Sequence, residues 1–223
     1  MPDGYEKDPA MTNQYCPLCR RETAQLYFKD RKRDYLHCSH CDLVFVPPAF
    51  HFSYAEERAY YDLHENDVGD AGYRRFLSRC AEPLLARLPA ASRGLDFGCG
   101  PGPALAAMLE ARGHSVALYD RHYANHPQVL KEQYDFICAT EVLEHLHNPE
   151  DELTRLWGCL KPGGVMAIMT KLVISRERFA NWHYKNDPTH IIFFSRDTLR
   201  WLACHWQAQL EFVADDVIFL TKP

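Results

Sequence analysis

The feature that most constrains this chain is a glycine-rich turn between a predicted strand and a predicted helix. The segment reads Gly94-Leu95-Asp96-Phe97-Gly98-Cys99-Gly100-Pro101-Gly102. Its apolar start predicts a short buried strand, and residues 103–112 predict a helix that ends at Gly113. Glycines at alternate positions let the backbone approach a ligand where a Cβ atom would clash. The order of these elements predicts an α/β protein with a ligand at this turn.

A second strand, Ser115–Tyr119, is predicted after this helix, and Asp120 follows it directly. A carboxylate at this place suits the two vicinal hydroxyls of a ribose, and the free N–H groups of the helix N-terminus suit a polar ligand group. The alternative is an ordinary tight turn without a ligand. Because strand, glycines, helix and acid occur in order, the pattern favours a nucleoside-containing cofactor.

These residues resemble motif I of the class I S-adenosylmethionine-dependent methyltransferases (type 11/12/23-like). Residues 134–146 and 160–164 resemble the post-I and pre-β5 motifs of that family, and the likeness covers about residues 70–223. Nicotinamide-dependent enzymes more often have the wider spacing G-x-G-x-x-G. The resemblance implies an α/β fold with a Rossmann-like sheet, and an enzyme whose cofactor is S-adenosylmethionine.

The resemblance also implies which residues contact the cofactor. They lie in the glycine turn, at the ends of the next two strands, and at the start of a helix predicted over residues 73–88, which Pro83 is expected to kink or divide. The expected cofactor-binding residues are Tyr73, Asp96, Phe97, Gly98, Cys99, Gly100, Gly102, Asp120, Thr140 and Glu141.

The family pattern fails after Asp120. Only residues 121–133 precede the next strand, which is room for one short helix but not for a helix and an edge strand. We therefore expect the sheet to lack its third strand. The acid that usually contacts adenine is not assigned, and His122 and Tyr123 replace it by position only. Residues 210–213 and 217–220 are expected to close the sheet as an antiparallel pair.

Two C-x₂-C pairs near the N-terminus, 18 residues apart, predict a zinc ribbon. The ligands are Cys16, Cys19, Cys38 and Cys41. The hairpin predicted between the pairs is too small to bury enough apolar surface alone, so the metal would supply its folding free energy. The alternative is four buried cysteines without a metal.

This reading divides the chain into four parts. Residues 1–14 form a flexible N-terminus, 15–48 the small N-terminal zinc ribbon, and 71–223 the S-adenosylmethionine-binding domain. Between them, residues 49–70 are rich in aromatic and acidic side chains and lack clear helical periodicity. They are either a surface linker or a lid over the cofactor.

Candidate catalytic residues lie after two successive central strands. Glu141, Glu144 and His145 would share one face of a helix, and His183 and His190 follow the last parallel strand. This set resembles the metal site of small-RNA 2′-O-methyltransferases and, in part, of metal-assisted ubiquinone-biosynthesis O-methyltransferases. That likeness implies a divalent metal at the active site, held by Glu141, Glu144, His145 and His190. The alternative is that the acids only stabilise a helix N-terminus.

Three functions remain open at this point. The first is methyl transfer to a small-molecule acceptor. The second is methylation of RNA gripped by the ribbon, which the basic hairpin tip (Lys29, Arg31, Lys32, Arg33) supports and the net charge of −5 opposes. The third is a non-catalytic cofactor-binding or zinc-scaffold protein, which the intact glycines and Asp120 disfavour.

The remaining sequence signals concern location. No apolar run approaches the ~20 residues of a membrane span, the first residues do not form a secretory signal, and nine cysteines, an odd number, favour reduced thiols. We therefore expect a cytoplasmic protein without a membrane partner. The sequence predicts no oligomeric state.

Overall fold

A computed structural model describes residues 15–63 and 67–223, so the predicted flexible N-terminus, residues 1–14, lies outside the described residues. The strands are β1 (Ala24–Lys29), β2 (Asp34–Cys38), β3 (Val44–Phe45), β4 (Arg93–Phe97), β5 (Ser115–Tyr119), β6 (Tyr134–Thr140), β7 (Leu160–Met169), β8 (Ile192–Phe193), β9 (Gln209–Phe212) and β10 (Val217–Thr221). The α-helices are α1 (Tyr54–Tyr61), α2 (Ala71–Leu85), α3 (Ala104–Glu110), α4 (Pro149–Cys159), α5 (Arg176–Ala180) and α6 (Arg196–Trp206). Short 3-10 helices span Pro48–Phe50, Pro127–Lys131, Leu143–His145 and His183–Asn186.

The main sheet has six strands in the order β5-β4-β6-β7-β10-β9. The first four are parallel, while β10 runs antiparallel to both β7 and β9. The prediction of a Rossmann-like sheet that lacks its third strand is confirmed, because between β5 and β6 the chain forms only the 3-10 helix Pro127–Lys131. The predicted antiparallel closing pair is β9 and β10.

Both faces of this sheet are covered. Phe136 and Cys138 of β6 pack in the cluster that contains the apolar residues of α2 and α3. Ile137 and Ala139 of the same strand pack in a second cluster with residues of α4 and α6. This alternation explains why residues 136–139 of β6 are all apolar, since a parallel strand between two helical layers has no solvent-facing side there.

A smaller antiparallel sheet has the order β1-β2-β3-β8. Its first three strands are the predicted ribbon, but β8 comes from the C-terminal half of the chain. Val44 pairs with Phe193, and Phe45 pairs with Ile192. The ribbon is therefore joined to the rest of the protein by a backbone ladder, which the sequence did not indicate.

Two helices differ from expectation. The segment 49–70 contains the helix α1. A capping box between Ser53 and Glu56 begins this helix, and Glu57 is its only buried residue. Because so little of α1 is buried, its sequence shows no apolar stripe. The expected division of α2 at Pro83 is wrong: the helix is continuous, because only two residues follow Pro83 and the proline disturbs no more than the last turn. Among the described residues, no helix combines the length and apolarity needed to cross a bilayer.

Candidate active site

A cavity of about 560 Å³ lies at the carboxyl ends of β4, β5 and β6. Its wall is built from the glycine turn after β4, the residues that follow β5 and β6, one side of α1 and α2, and the segment 183–190. Parallel α/β sheets bind ligands at this edge, where the strand order reverses. Here the reversal falls between β4 and β6, so the fold places the cavity where the sequence predicted a cofactor.

The glycine turn follows a path that side chains would block. Gly98 has a φ of +76° and Gly100 a φ of +64°, both in the left-handed region that favours glycine. A Cβ atom on Gly98 would lie 2.3 Å from Cγ2 of Val142. The Gly98 N–H donates to the carbonyl of Tyr119 at 2.7 Å, which ties the turn to the end of β5. The turn is thus fixed next to Asp120.

Backbone donors hold the Asp120 carboxylate in one orientation. Oδ2 accepts from the N–H of Gly100 at 3.0 Å, and Oδ1 accepts from the N–H groups of His122 at 2.8 Å and Tyr123 at 3.1 Å. Asp120 also lines the cavity. A carboxylate has about four acceptor sites, and the three backbone donors leave about one of them for a ligand hydroxyl.

The structure brings most of the expected cofactor residues to the cavity wall. Those that line it are Tyr73, Phe97, Gly98, Cys99, Gly100, Asp120, Thr140 and Glu141. Asp96 and Gly102 are not among the lining residues. Asp96 is buried below the turn, where burial raises the pKa of its carboxyl to about 7 although Ala106 donates a backbone hydrogen bond to it. From this position Asp96 is suited to stabilise the glycine turn and the start of α3.

Glu141 departs from the expected helix. It has a φ of +53°, unusual for a residue with a side chain, and its N–H donates to the carbonyl of Met169 at 2.7 Å. The 3-10 helix begins after it, at Leu143, so Glu141 does not share one helical face with Glu144 and His145. Burial and the nearby Glu144 raise the pKa of Glu141 to about 8. Its Oε1 is buried and has no partner among the described residues.

His145 and His190 form a pair at the cavity wall, with ring centroids 4.7 Å apart. Nδ1 of His145 donates to the carbonyl of Thr189 at 3.1 Å, and Nδ1 of His190 donates to the carbonyl of Tyr184 at 2.7 Å. Because a carbonyl only accepts, each Nδ1 carries a proton, so the neutral form of each ring is the tautomer with its lone pair on Nε2. Burial and the neighbouring His145 lower the pKa of His190 to about 4.

Glu144 lies behind this pair and is fully buried. Its Oε1 accepts from the hydroxyl of Tyr184, and its Oε2 accepts from the hydroxyl of Thr170 at 3.0 Å. One ligand atom each of Glu144, His145 and His190 lie within 4.8 Å of one another. Glu141, which the sequence placed in the same metal set, is not part of this cluster.

His183, the remaining catalytic candidate, lies at the cavity wall with its Nε2 3.1 Å from Nζ of Lys171. Sequence reasoning missed Lys171, Tyr184 and Glu57, all of which line the cavity. Lys171 and Tyr184 could have been predicted, because both follow β7 and the residues after the parallel strands line such a site. Glu57 had no such signal, because it arrives on a helix that the periodicity did not reveal.

The four ribbon cysteines form one cluster. Sγ of Cys16 lies 3.5 Å from Sγ of Cys41, Sγ of Cys19 lies 3.5 Å from Sγ of Cys38, and all four sulfur atoms are within 4.8 Å of one another. Four sulfurs around a zinc ion at about 2.3 Å would stand ~3.8 Å apart. The donor set and its spacing therefore fit a tetrahedral zinc ion.

The model of a methyltransferase-domain family matches residues 69–214, and the chain belongs to this family. These residues form a domain of the S-adenosylmethionine-dependent methyltransferase class.

Curated relatives differ in what they act on. The chain is 33% identical over 177 residues to a tRNA U34 carboxymethyltransferase of Methylococcus capsulatus, covering 63% of this chain and 54% of that protein. It is 32% identical over 127 residues to a trans-aconitate 2-methyltransferase of Variovorax paradoxus, covering 46% of this chain and 49% of the relative. The chain thus spans about half the length of these two relatives. An O-methyltransferase family protein from Burkholderia thailandensis has a similar fold, with a TM-score of 0.51, 14% identity, and coverage of 76% and 60% of the two chains.

Proposed function

We propose that this enzyme transfers the methyl group of S-adenosylmethionine to an O–H or N–H group of a small-molecule acceptor, and that the His145 and His190 pair removes the proton. The observation that carries the proposal is the pair itself. Both rings line the cavity, and because both Nδ1 atoms donate to carbonyls, Nε2 is the atom of each ring that is left to take up a proton. Acceptors that must lose a proton need such a base within reach.

Three features of the cavity fit the cofactor. The left-handed turn at Gly98 and Gly100 leaves room for the part of the cofactor that would lie against the backbone, and Asp120 keeps an acceptor site for a ribose hydroxyl. Oε1 of Glu141 is a buried oxygen that awaits a donor, which the ammonium group of the methionine moiety supplies. When bound, the cofactor supplies a methyl group on a sulfonium, and the protein's task is to align the acceptor with it.

Replacement of Asp120 by asparagine should weaken S-adenosylmethionine binding by about tenfold or more, since hydrogen bonds to a charged acceptor contribute about 1.5–3 kcal/mol. In the wild type both carboxylate oxygens accept from backbone N–H groups. The asparagine amide must place its NH₂ group against one of these donors, which loses that hydrogen bond. Calorimetric titration measures the effect. Asp197→Asn, at an exposed acid paired with Arg200, is the matched control. Equal affinities in Asp120→Asn and wild type would remove the ribose assignment.

In the proposed reaction, the acceptor proton moves to Nε2 of one histidine, and the acceptor atom takes the methyl group that bound S-adenosylmethionine would supply, which would leave S-adenosylhomocysteine. The imidazolium that forms at His190 has a carboxylate nearby, because Oδ2 of Asp187 lies 3.8 Å from Nε2. Lys171, whose Nζ donates to Nε2 of His183, adds positive charge at the same wall, which suits an acceptor with an acidic group. The proton then passes to solvent.

The structure weakens the case for RNA. Arg33 of the basic hairpin tip is buried and binds backbone carbonyls of the protein, while Lys29 pairs with Asp34 at 3.1 Å. One of the four basic side chains is thus committed internally and a second is in an exposed ion pair, which leaves fewer free cations for phosphates. RNA stays the alternative acceptor, because one curated relative acts on tRNA.

Labelled S-adenosylmethionine added to an extract of cells that lack this protein tests the proposal. With wild-type enzyme we expect label in the small-molecule fraction, resistant to nuclease. A Gly98→Val variant, in which a side chain fills the turn, is the matched negative control. Label in a nuclease-sensitive, high-molecular-weight fraction would instead establish the RNA alternative.

We also propose that α1 is the lid that the sequence left open for residues 49–70. Glu57 is its buried residue, and Oε1 of Glu57 lies 2.5 Å from Nε2 of His147. Tyr61 packs edge-on against His145, with ring centroids 5.4 Å apart, and both Glu57 and Tyr61 line the cavity. No residue of α1 belongs to either hydrophobic cluster of the described residues, and a helix without such anchorage opens at low cost.

Glu57→Ala should therefore speed release of the cofactor by about tenfold while barely changing the thermal midpoint, because the buried His147 contact is lost from the lid alone. Stopped-flow fluorescence with S-adenosylhomocysteine measures the dissociation rate. Glu110→Ala, an exposed glutamate at the end of α3, is the control. A dissociation rate equal to that of the control would argue that α1 is a static linker.

A second candidate mechanism rests on the cluster of Glu144, His145 and His190. One carboxylate and two imidazoles within 4.8 Å are a donor set that suits a divalent transition metal. Bound there, a metal would acidify a hydroxyl acceptor as a Lewis acid. The histidines would then be ligands rather than bases, and chelation distinguishes the two roles.

A further inference from the structure

The positions of the two histidine rings depend on the backbone of one segment, residues 183–190. The Tyr184 carbonyl accepts from His190, and the Thr189 carbonyl accepts from His145. A shift of this backbone would move both hydrogen bonds, and with them the direction of both Nε2 atoms. What fixes the segment therefore also sets the geometry of the pair.

The tip of the ribbon hairpin grips this segment through Arg33. Its side chain is 7% exposed and donates to the carbonyls of Lys185, Asp187 at 2.7 Å and Pro188 at 3.0 Å. Nε of Arg33 donates to the hydroxyl of Tyr35 at 2.9 Å, which orients the guanidinium. A guanidinium has five donors in a planar fork, so it is suited to hold several carbonyls at once, whereas an ammonium is a point charge.

A second contact reinforces the first. Nζ of the buried Lys185 donates to Oδ2 of Asp30 at 3.1 Å, and the hydroxyl of Tyr35 donates to the same carboxylate at 3.1 Å. The ribbon also holds the far end of the segment, because the N–H of Val46 donates to the carbonyl of Ile191 at 2.8 Å and β3 pairs with β8. Ribbon contacts thus bracket the residues between Lys185 and Ile191.

We propose that Arg33 is a positioning residue of the active site, and that the ribbon serves the reaction by holding the segment that orients His145 and His190. Arg33 does not line the cavity. It acts through three backbone carbonyls, those of residues 185, 187 and 188, which lie in the chain between the two that bind the histidines, those of residues 184 and 189. The consequence for turnover rests on the proposed function, but the effect on the segment does not.

Hydrogen exchange on the full chain tests the positioning role without any acceptor. In Arg33→Met we expect amides of residues 183–191 to exchange about tenfold faster than in wild type, with the zinc content unchanged. Arg33→Lys keeps a cation and the apolar stem but loses the fork, so it should show a smaller increase in the same peptide. Arg31→Met, at the exposed neighbour in the same hairpin tip, is the control and should show none.

Nitrogen-15 spectra of the histidine rings give the second readout. Wild type should show His145 and His190 as single Nδ1–H tautomers, and both arginine variants should show mixed tautomers or exchange broadening. Turnover, once an acceptor is known, should fall by about a hundredfold in Arg33→Met with the S-adenosylmethionine KM nearly unchanged. Wild-type exchange and wild-type tautomers in Arg33→Lys would overturn the proposal, and this milder variant decides the question if Arg33→Met does not fold.

His190→Ala could lose turnover while Arg33→Met keeps it, even though amide exchange is faster in Arg33→Met. That result would support His190 as the base and reject the positioning role of Arg33. The converse pattern, in which the exchange and tautomer changes occur but neither variant loses turnover, would confirm that Arg33 orders the segment and reject the proposed function of the histidines.

Discussion

His190→Ala is expected to bind S-adenosylmethionine within about twofold of wild type and to lose at least a hundredfold in turnover, the usual contribution of a general base. His190 contacts the cavity on the side of the segment 183–190 rather than at the glycine turn, so its removal leaves the cofactor site intact. Isothermal titration and single-turnover methyl transfer separate the two quantities. His205→Ala, at an exposed histidine of α6, is the control.

The pH profile carries additional information. Because burial and His145 lower the pKa of His190 to about 4, the ring is neutral from pH 7 down to about pH 5. If His190 is the base, turnover should persist as the pH falls through 6.5, the usual histidine pKa, and should decline only as it approaches 4. A fall centred near 6.5 would assign the step to a group other than His190. A His190→Ala enzyme with full turnover would end both the base and the metal versions.

Chelation separates those versions. If a histidine acts as a base, removal of metal from the cavity by EDTA leaves turnover unchanged. If Glu144, His145 and His190 hold a metal, EDTA abolishes turnover and added divalent ions restore it. Removal of the ribbon is not a suitable control, since β3 pairs with β8 and its loss would expose that strand. Add-back of Mn²⁺ or Mg²⁺ is preferable, because oxygen- and nitrogen-preferring ions restore the cavity site but not four thiolates.

Cys38→Ser should abolish stoichiometric zinc and unfold the ribbon. We propose that Cys16, Cys19, Cys38 and Cys41 hold one zinc ion per chain, because their sulfur atoms already stand at tetrahedral spacing. Structural zinc contributes about 10–16 kcal/mol in small ribbons, far more than the hairpin's own contacts. Elemental analysis of protein purified without chelator measures the metal, and thermal unfolding measures the stability.

Cys204→Ser is the matched control for this variant, since Cys204 is an exposed free cysteine on α6 outside the cluster. It should retain zinc and the wild-type midpoint. Full metal content in Cys38→Ser, or no zinc in the wild-type protein, would refute the ribbon assignment. Because the ribbon holds the segment 183–190, the zinc-free protein should also show the rapid amide exchange expected of Arg33→Met.

Local sequence signals predicted most of the fold. The glycine turn, the acid after β5 and the cysteine spacing each encode their structure within a few residues, and the short interval after Asp120 revealed the missing strand by length alone. Such features need no knowledge of distant contacts.

The features that sequence reasoning missed depend on distant partners. Nothing near Arg33 indicates that its guanidinium is buried against carbonyls about 150 residues away, and an exposed basic tip is the ordinary expectation for such a hairpin. Glu141 likewise depends on a distant partner. Its positive φ goes with the hydrogen bond from its N–H to the carbonyl of Met169 on the neighbouring strand rather than with its own preference. The helix α1 is hidden because its one buried side chain is a glutamate.

The pairing of β3 with β8 has a consequence for biosynthesis. Val44 leaves the ribosome long before its partner Phe193, so the ribbon can bind zinc early while one edge of its sheet stays unpaired. Unpaired edges template aggregation, and closing so long a loop is slow. We expect translation that stalls before residue 193 to release a metal-loaded but association-prone fragment, and chaperone dependence to end once β8 completes the sheet.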